Sequence, residues 1–192
     1  MTAELTTPAD LVEDLPASGI GDGLQEQTPW TWVVVGPQIP SPAEAQQWVV
    51  RATTGAVVTF AGTVRDHAPG YEQVHGITYE VYGTEAVRRL TEVVGIARAT
   101  WSDAGRIALF HRSGYVALGE ESVLVVVASP HRRTAFDVAR FCIDVLKVSV
   151  PVWKLEHDGV ASGWSETGVM ARSVREAADA WLAEEATEGV DR

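Results

Sequence analysis

Two lysines, Lys147 and Lys154, are the residues of this chain that most clearly indicate chemistry. They are the only lysines among 192 residues, and thirteen arginines supply the other positive side-chain charges. A chain of average composition would contain roughly ten lysines. Arginine keeps its proton in proteins, whereas a lysine amine is able to lose it when it is buried or lies near another cation. The retention of two lysines seven residues apart therefore indicates a reaction that needs an amine. The alternative is chance survival in an arginine-rich composition.

A basic segment, residues 129–133 (Ser-Pro-His-Arg-Arg), lies between a predicted buried strand and a predicted helix over residues 134–147. A helix N-terminus offers unpaired N–H groups and the positive end of the helix dipole. With His131 and Arg132 beside it, such an end is suited to binding a phosphate. The alternative interpretation is a solvated basic turn in which Ser129 is an ordinary helix cap.

Arg65 ends another predicted strand and enters a glycine-containing loop, a position where binding residues often gather. Its alternative role is a surface ion pair with Asp66. For the remaining candidates, the sequence pattern favours structural roles. His111 ends a third strand, Cys142 lies on the apolar face of a helix, and His157 lacks partners at metal-ligand spacing. Nucleotide-binding glycine motifs and the serine-hydrolase motif are absent from the sequence.

Hydrophobic periodicity and turn signals predict the elements that position these residues. The spacing of Ser41 and Glu44 is that of a capping box, with Pro42 at the first helical position, and predicts a helix that runs to about Thr53. The whole pattern predicts one mixed α+β domain with a largely antiparallel sheet and packed helices. Strands are expected at 30–35, 55–64, 75–82, 106–112, 122–128 and 152–157, and further helices at 86–101, 134–147 and 170–186.

Charge and composition limit the function classes. The formal net charge is −11, but residues 1–28 carry six acids and no base, and residues 176–192 carry six acids and one arginine. We predict a disordered acidic tail over 1–28, a domain over 29–168, and a C-terminal helix with an acidic tail over 169–192. The acidic balance argues against nucleic-acid binding. No apolar run approaches the ~20 residues of a membrane span. A single cysteine and the lack of a secretory signal predict a cytoplasmic protein.

Residues 55–67, Gly-Ala-Val-Val-Thr-Phe-Ala-Gly-Thr-Val-Arg-Asp-His, resemble the opening signature of the large, catalytic subunit family of molybdopterin synthase. Other segments that resemble this family follow in the family's order, and the resemblance covers about residues 30–166. These segments are Tyr79–Tyr82, His111–Gly114, Ser129–Arg132 with Ala135 and Phe136, Leu146–Glu156, and Trp164.

The resemblance implies an α/β-hammerhead-like fold and a sulfurtransferase activity. The family converts cyclic pyranopterin monophosphate into molybdopterin by adding two sulfurs as a dithiolene. Sulfur arrives as a thiocarboxylate on the C-terminal Gly-Gly of a small ubiquitin-like subunit, so the resemblance implies neither a cofactor nor a metal. By matching position, it assigns Lys147 and Lys154 to the reacting centre, as catalytic and substrate-binding residues. It assigns Arg65, His131 and Arg132 to binding of the substrate and its phosphate.

The resemblance also implies an assembly, a homodimer with one small subunit at each far end, which makes a heterotetramer. The family often supplies an arginine across the dimer after Trp164, at the position of Gly168, and Arg172 lies four residues further on. Two other functions remain as alternatives: a non-catalytic docking module for the ubiquitin-like subunit, and an unrelated phosphate-binding α+β domain. Retention of both lysines and of the His-Arg pair at 131–132 favours the enzyme.

Overall fold

The computed structural model describes residues 23–69, 71–157, 162–164 and 172–188. Within these ranges the chain forms four helices and eleven strands. The helices are α1 (Pro42–Val49), α2 (Gly83–Thr100), α3 (Arg132–Ser149) and α4 (Val174–Glu188). The strands are β1 (Leu24–Gln27), β2 (Thr31–Gly36), β3 (Ala56–Thr63), β4 (His67–Ala68), β5 (Tyr71–Glu72), β6 (Gly76–Val81), β7 (Ile107–Arg112), β8 (Gly114–Ala117), β9 (Glu121–Ser129), β10 (Val152–His157) and β11 (Ser162–Trp164).

The first sheet has five strands in the order β1-β2-β7-β9-β3, and only the pair β2 and β7 is parallel. Its centre is buried on both faces, as the unbroken apolar run over residues 123–128 of β9 shows. Alternate residues of a strand point to opposite faces. Val125 and Val127 therefore pack in the core that contains α2, α3 and α4, whereas Leu124 and Val126 pack in the core that contains α1.

The second sheet has four antiparallel strands in the order β11-β10-β6-β8. Val64, Val74, Ile77, Tyr79 and Val116 form a small apolar cluster on one of its faces. Between α3 and β10 the chain has only two residues, and the second is a proline, which cannot continue a helix. Strand β10 of the second sheet therefore begins directly after the last turn of α3.

The predicted α+β class with mostly antiparallel pairing is confirmed, but the first helix is shorter than predicted. The capping box is present: the Ser41 hydroxyl accepts from the Glu44 N–H, and the Glu44 carboxylate accepts from the Ser41 N–H. The helix ends at Val49 rather than near Thr53, because Val50 adopts an extended backbone conformation. Two consecutive β-branched residues favour that conformation.

The prediction of a disordered tail over residues 1–28 is wrong for its last part, because Leu24–Gln27 forms strand β1. This strand pairs antiparallel with β2, and Glu26 also accepts a hydrogen bond from the hydroxyl of Thr91. Backbone pairing with an open sheet edge does not require apolar side chains, so composition gave no signal for it. Residues 1–22, most of the predicted tail, lie outside the described residues, as does the predicted domain boundary at 168.

Candidate active site

Helix α3 and strand β3 run side by side in the same direction, and this arrangement decides which candidate residues meet. The first residue of β3, Ala56, lies opposite Ser129, the last residue of β9. Helix α3 begins just after that point and packs back across β9 and β3. Its last turn, which carries Lys147, therefore lies at the end of the sheet where β3 stops and Arg65 follows.

The backbone that carries Arg65 is held in place by its neighbours. Val64 is buried, its N–H donates to the carbonyl of Glu120 at 3.0 Å, and its carbonyl accepts from the N–H of Gly119 at 2.8 Å. The exposed Arg65 side chain donates from Nε to the carbonyl of His67 at 2.9 Å. A guanidinium has five N–H donors, so this anchored side chain keeps donors for an anionic ligand.

Arg89 of α2 fixes the turn from which the exposed Lys147 side chain projects. Its guanidinium donates to the carbonyl of Ser149 and, at 3.0 Å, to the carbonyl of Arg172. The N–H of Arg172 in turn donates to the carbonyl of Val148 at 3.1 Å. The bonds to the carbonyls of Ser149 and Val148 satisfy groups that the end of helix α3 leaves unpaired. They also hold the backbone of Arg172 beside the Lys147 turn of its own chain.

Lys154 lies on β10 opposite Tyr79 of β6, so the two side chains start from the same face of the second sheet. Tyr79 is buried, and its ring contacts the imidazole of His111 with 5.4 Å between ring centroids. Burial raises the pKa of Tyr79. Lys154 itself is exposed, and its positive charge acts on the buried His111 imidazole.

His111 is a buried neutral histidine behind Lys154. Its Nδ1 lies 2.7 Å from the carbonyl oxygen of Arg112, so Nδ1 carries the proton and donates it. Burial lowers the pKa of His111 to about 4, the hydrogen bond to Arg112 opposes that effect, and the nearby charge of Lys154 adds to it. The structural role predicted for His111 from the sequence agrees with this burial. Cys142 is also buried in the core, and burial raises the pKa of its thiol to about 12.

The remaining candidates, His131 and Arg132, lie at the opposite end of α3. Their side chains are exposed, and His131 occupies the N-cap position with its N–H donating to the Ser129 hydroxyl at 3.2 Å. No acidic residue lies in the first helical turn, which favours anion binding there. Fifteen residues separate Arg132 from Lys147 on the helix, which corresponds to about 22 Å along its axis. The structure therefore does not bring these two groups together within one chain.

Strand β3 is an edge strand with exposed apolar side chains. Among the described strands only β9 pairs with it, so its other side presents unpaired backbone groups. Val57 and Phe60 are each 36% exposed, and Phe136 on the neighbouring helix α3 is 62% exposed. This edge connects the two ends of the candidate site, because β3 begins near His131 and ends near Arg65.

A cleft of about 430 Å³ lies near the same end of the first sheet, between residues 37–42 and the side chains of Arg112, Glu121 and Leu124. Leu124 belongs to the core under α1, so the cleft opens on the sheet face opposite α3 and Lys147. Within the described ranges, no three His, Cys, Asp or Glu side chains are grouped closely enough to hold a metal ion. No described helix is long and apolar enough to cross a membrane.

Comparison with known proteins identifies the family. The family model described as MoaE protein matches residues 37–149, more than half of the chain. The matched range includes Arg65, His131, Arg132 and Lys147. This chain belongs to the MoaE family.

Curated MoaE-family relatives match over most of their length. The molybdopterin synthase catalytic subunit of Escherichia coli K12 is 40% identical over 152 residues, which cover 79% of this chain and 98% of that protein. The Arabidopsis thaliana molybdopterin synthase catalytic subunit is 43% identical over 119 residues, which cover 62% of this chain and 59% of that protein.

Solved structures share the fold. A chain of molybdopterin synthase from Staphylococcus aureus matches with a TM-score of 0.65 and 25% identity, covering 73% of this chain and 98% of that one. A protein–protein complex of subunits 1 and 2 of the molybdopterin-converting factor from Helicobacter pylori contains a chain that matches with a TM-score of 0.58 and 19% identity. That match covers 74% of this chain and 92% of that one. At this identity the Helicobacter likeness concerns the fold alone.

Sequence reasoning missed three residues of the candidate site. Glu156 lies two residues after Lys154 on a strand, so alternation alone places both on one face, and this signal was available. Tyr79 lies in a segment that resembles the family, but its position opposite Lys154 depends on the strand register. Arg89 contacts Ser149 across 60 residues of sequence, and no local pattern predicts that contact.

Proposed function

We propose that this chain is the catalytic subunit of a molybdopterin synthase. In this role it transfers sulfur from the C-terminal thiocarboxylate of a small ubiquitin-like subunit to cyclic pyranopterin monophosphate, and so forms the dithiolene of molybdopterin. One observation carries the proposal: in a MoaE-family chain, Lys147 in the last turn of α3 and Arg65 after β3 lie at the same end of the first sheet, and Lys154 of the second sheet is close enough to Arg65 for both charges to act on one carboxyl group. The E. coli relative that bears this name matches over 98% of its length.

The two lysines reach the site from different elements, which suits them to different tasks. Hydrolysis of the acyl link to the small subunit breaks the bond between its carbonyl carbon and the transferred sulfur and develops negative charge on the carbonyl oxygen, and a fixed cation stabilises such charge. Lys147 projects from the anchored end of α3 and approaches from the helix side. Lys154 projects from β10 in front of Tyr79. An amine at either position can also transfer a proton to or from the reacting atoms.

In this proposal, the phosphate of the substrate is bound by His131 and Arg132 of a second copy of the chain. A separation of about 22 Å along α3 is too long for one small tricyclic substrate to touch both helix ends of one chain. A symmetric dimer with the β3 edges facing each other solves this problem. Antiparallel pairing of the two edges places the start of one β3 beside the end of the other. His131 of the second copy then lies near Arg65 of the first.

The character of the β3 edge supports this dimer. Exposed Val57, Phe60 and Phe136 provide apolar surface, and the unpaired backbone groups of an edge strand are able to hydrogen-bond to a second strand. We expect sedimentation analysis to show a dimer at micromolar concentration. Phe60→Glu should yield a monomer, whereas Tyr82→Glu, at an exposed aromatic side chain on another element, should not. A wild-type monomer would remove the shared site from the proposal.

The small subunit inserts its extended Gly-Gly tail toward Lys147 and Lys154, which requires a groove rather than a flat patch. One small subunit at each end of the dimer gives a heterotetramer. Because the thiocarboxylate carries the activated sulfur, the proposed reaction uses neither a cofactor nor a metal. We place the reaction in the cytoplasm, in keeping with a chain whose single cysteine forms no internal disulfide.

The direct test combines the purified chain, a thiocarboxylated small subunit and cyclic pyranopterin monophosphate, and measures molybdopterin by its fluorescent oxidation product. We expect the wild-type chain to form molybdopterin and Lys147→Ala to form almost none while still binding the small subunit. Binding of the small subunit without any product from the wild-type chain would favour the alternative, a non-catalytic docking module. Absence of both product and binding would contradict both functions.

A further inference from the structure

Glu156 carries a buried carboxyl group that has no role in the reaction proposed above. Its residue is only 3% exposed, and its Oε2 atom is buried without a hydrogen-bond partner in the part of the chain that the structure describes. An unpaired buried carboxyl oxygen costs free energy, because its bonds to water are lost and not replaced. The burial of this carboxyl group therefore needs an explanation, and the residues around it provide one.

The strand register places Glu156 beside the candidate reaction centre. It lies two residues after Lys154 on the same face of β10, opposite Ile77 of β6, and next to the position where Lys154 faces Tyr79. The positive charges of Lys154 and Arg65 both act on its carboxyl group. These two cations come from different sheets, since Lys154 is on β10 and Arg65 follows β3. Glu156 is thus a negative group that both cations share.

An ordinary structural ion pair does not explain this carboxyl group. Within the described residues, neither Lys154 nor Arg65 forms an ion pair with Glu156 at 4.0 Å or less, although both side chains are exposed. Burial raises the pKa of Glu156, and the nearby positive charges only partly oppose that effect. The titratable and charged groups around it are Lys154 and His157 on its own strand, Tyr79 on β6, Arg65 after β3, and His111 on β7, which contacts Tyr79 and senses the charge of Lys154.

We propose that Glu156 is a positioning residue of the sulfur-transfer site, whose carboxylate draws the Lys154 ammonium and the Arg65 guanidinium toward one point. This role rests on the function proposed above. As the carboxylate, Glu156 directs both cations to the place where the thiocarboxylate and the pterin meet. As the neutral acid, it leaves the two cations to repel each other and move apart into solvent. Sulfur transfer should therefore decline as the pH falls through the titration of Glu156, at a higher pH than an exposed glutamate would give.

The first test does not depend on turnover. The chain has only two lysines, so reductive methylation with ¹³C-formaldehyde gives two lysine signals besides that of the N-terminal amine. The Lys154 signal, assigned with Lys154→Arg, should shift in the acid range as Glu156 takes up its proton. That shift should be absent in Glu156→Gln and present in Glu80→Gln, a matched control on the opposite, exposed face of the second sheet. A Lys154 signal that titrates identically in both variants would overturn the proposal.

The second test measures sulfur transfer against pH. Glu156→Gln keeps the size of the side chain, and it should lower kcat on the order of tenfold while leaving the KM for the small subunit nearly unchanged. Its profile should also lose the acid limb of the wild type, and Glu156→Asp should recover part of the rate. An unchanged acid limb in Glu156→Gln would contradict the positioning role, provided that thermal melting confirms the fold. Absence of product from the wild-type chain would instead contradict the proposed function, and the lysine signals would still test Glu156.

Discussion

His111 makes a specific contribution to the pH dependence of stability, which follows from its burial. In the folded chain it is buried, and its pKa is lowered to about 4, chiefly by burial. In the unfolded chain a histidine takes up its proton near the ordinary value of 6.5. As the pH falls below about 6.5, the unfolded state therefore gains a proton that the folded state does not accept. This contribution to stability is complete above pH 6.5 and is lost progressively toward pH 4.

The magnitude follows from the difference between the two pKa values. The interval from 6.5 to about 4 is about 2.5 pH units, and at about 1.36 kcal/mol per unit the full loss is about 3 kcal/mol. By pH 5 the loss should already be about 2 kcal/mol, because the unfolded state is then almost fully protonated at this residue and the folded state is not. Losses of this size are a large fraction of the stability of an ordinary domain.

Urea unfolding measured at several pH values from 7.5 to 5 provides the assay. The variant His111→Gln has no titrating imidazole, while its side-chain amide is still able to donate a hydrogen bond to the Arg112 carbonyl. It should be less stable than the wild type at pH 7.5 because the core packing changes. The difference in unfolding free energy between the two chains should then narrow by about 2 kcal/mol at pH 5.

A matched control separates this effect from general acid destabilisation. His75 is exposed, so His75→Gln should leave the pH dependence of the wild type nearly unchanged. The acidic residues are the same in all three chains, so their contributions cancel in the differences. If wild type and His111→Gln lose stability in parallel from pH 7.5 to 5, the assignment of His111 as a buried neutral histidine is wrong.

Three further predictions concern the site and the fold. Lys147→Ala and Lys147→Arg should both lower the rate of sulfur transfer on the order of a hundredfold, because arginine keeps its proton and is wider than lysine. Lys154→Arg should retain part of the rate. Near-normal turnover by Lys147→Arg would show that Lys147 acts only through its positive charge. Arg132→Ala should weaken substrate binding by about 1.5–3 kcal/mol in titration calorimetry, and Arg133→Ala, a fully exposed neighbour within 3.9 Å of an aspartate, should not. Truncation before residue 29 removes β1 (Leu24–Gln27) and should lower the melting temperature, whereas truncation before residue 23 retains β1. Equal melting temperatures for the two truncated chains would show that β1 contributes nothing to stability.

Those parts of the fold that depend on local patterns could be predicted from the sequence. The capping box at Ser41 and Glu44 specifies the start of α1 through two short-range hydrogen bonds, and both are present. The apolar run of β9 specifies a strand buried on both faces, whichever strands lie beside it. The pairing of β1 with β2 could not be predicted, because it depends on backbone groups that every residue possesses.

The residues of the candidate site could be predicted from the sequence more fully than their arrangement in space. Lysine scarcity indicates Lys147 and Lys154, but strand register alone decides that Lys154 faces Tyr79. The separation of His131 from Lys147 could have been inferred, because a helix of 18 residues holds its two ends about 27 Å apart. What the sequence does not contain is the direction of α3 relative to β3, and that direction places Arg65 with the lysines rather than with His131.

The most direct measurement of the central claim mixes two variants that are each impaired at a different part of the site. Lys147→Ala and His131→Ala are unfolded and refolded together in equal amounts, and molybdopterin formation is measured with the thiocarboxylated small subunit. If each site combines Lys147 of one copy with His131 of the other, a mixed dimer contains one site with both substitutions and one wild-type site. Random mixing in a two-fold dimer then restores about a quarter of the wild-type activity. If each chain builds its site alone, the mixture will show no more activity than the two variants measured separately, and the shared sulfur-transfer site will be contradicted.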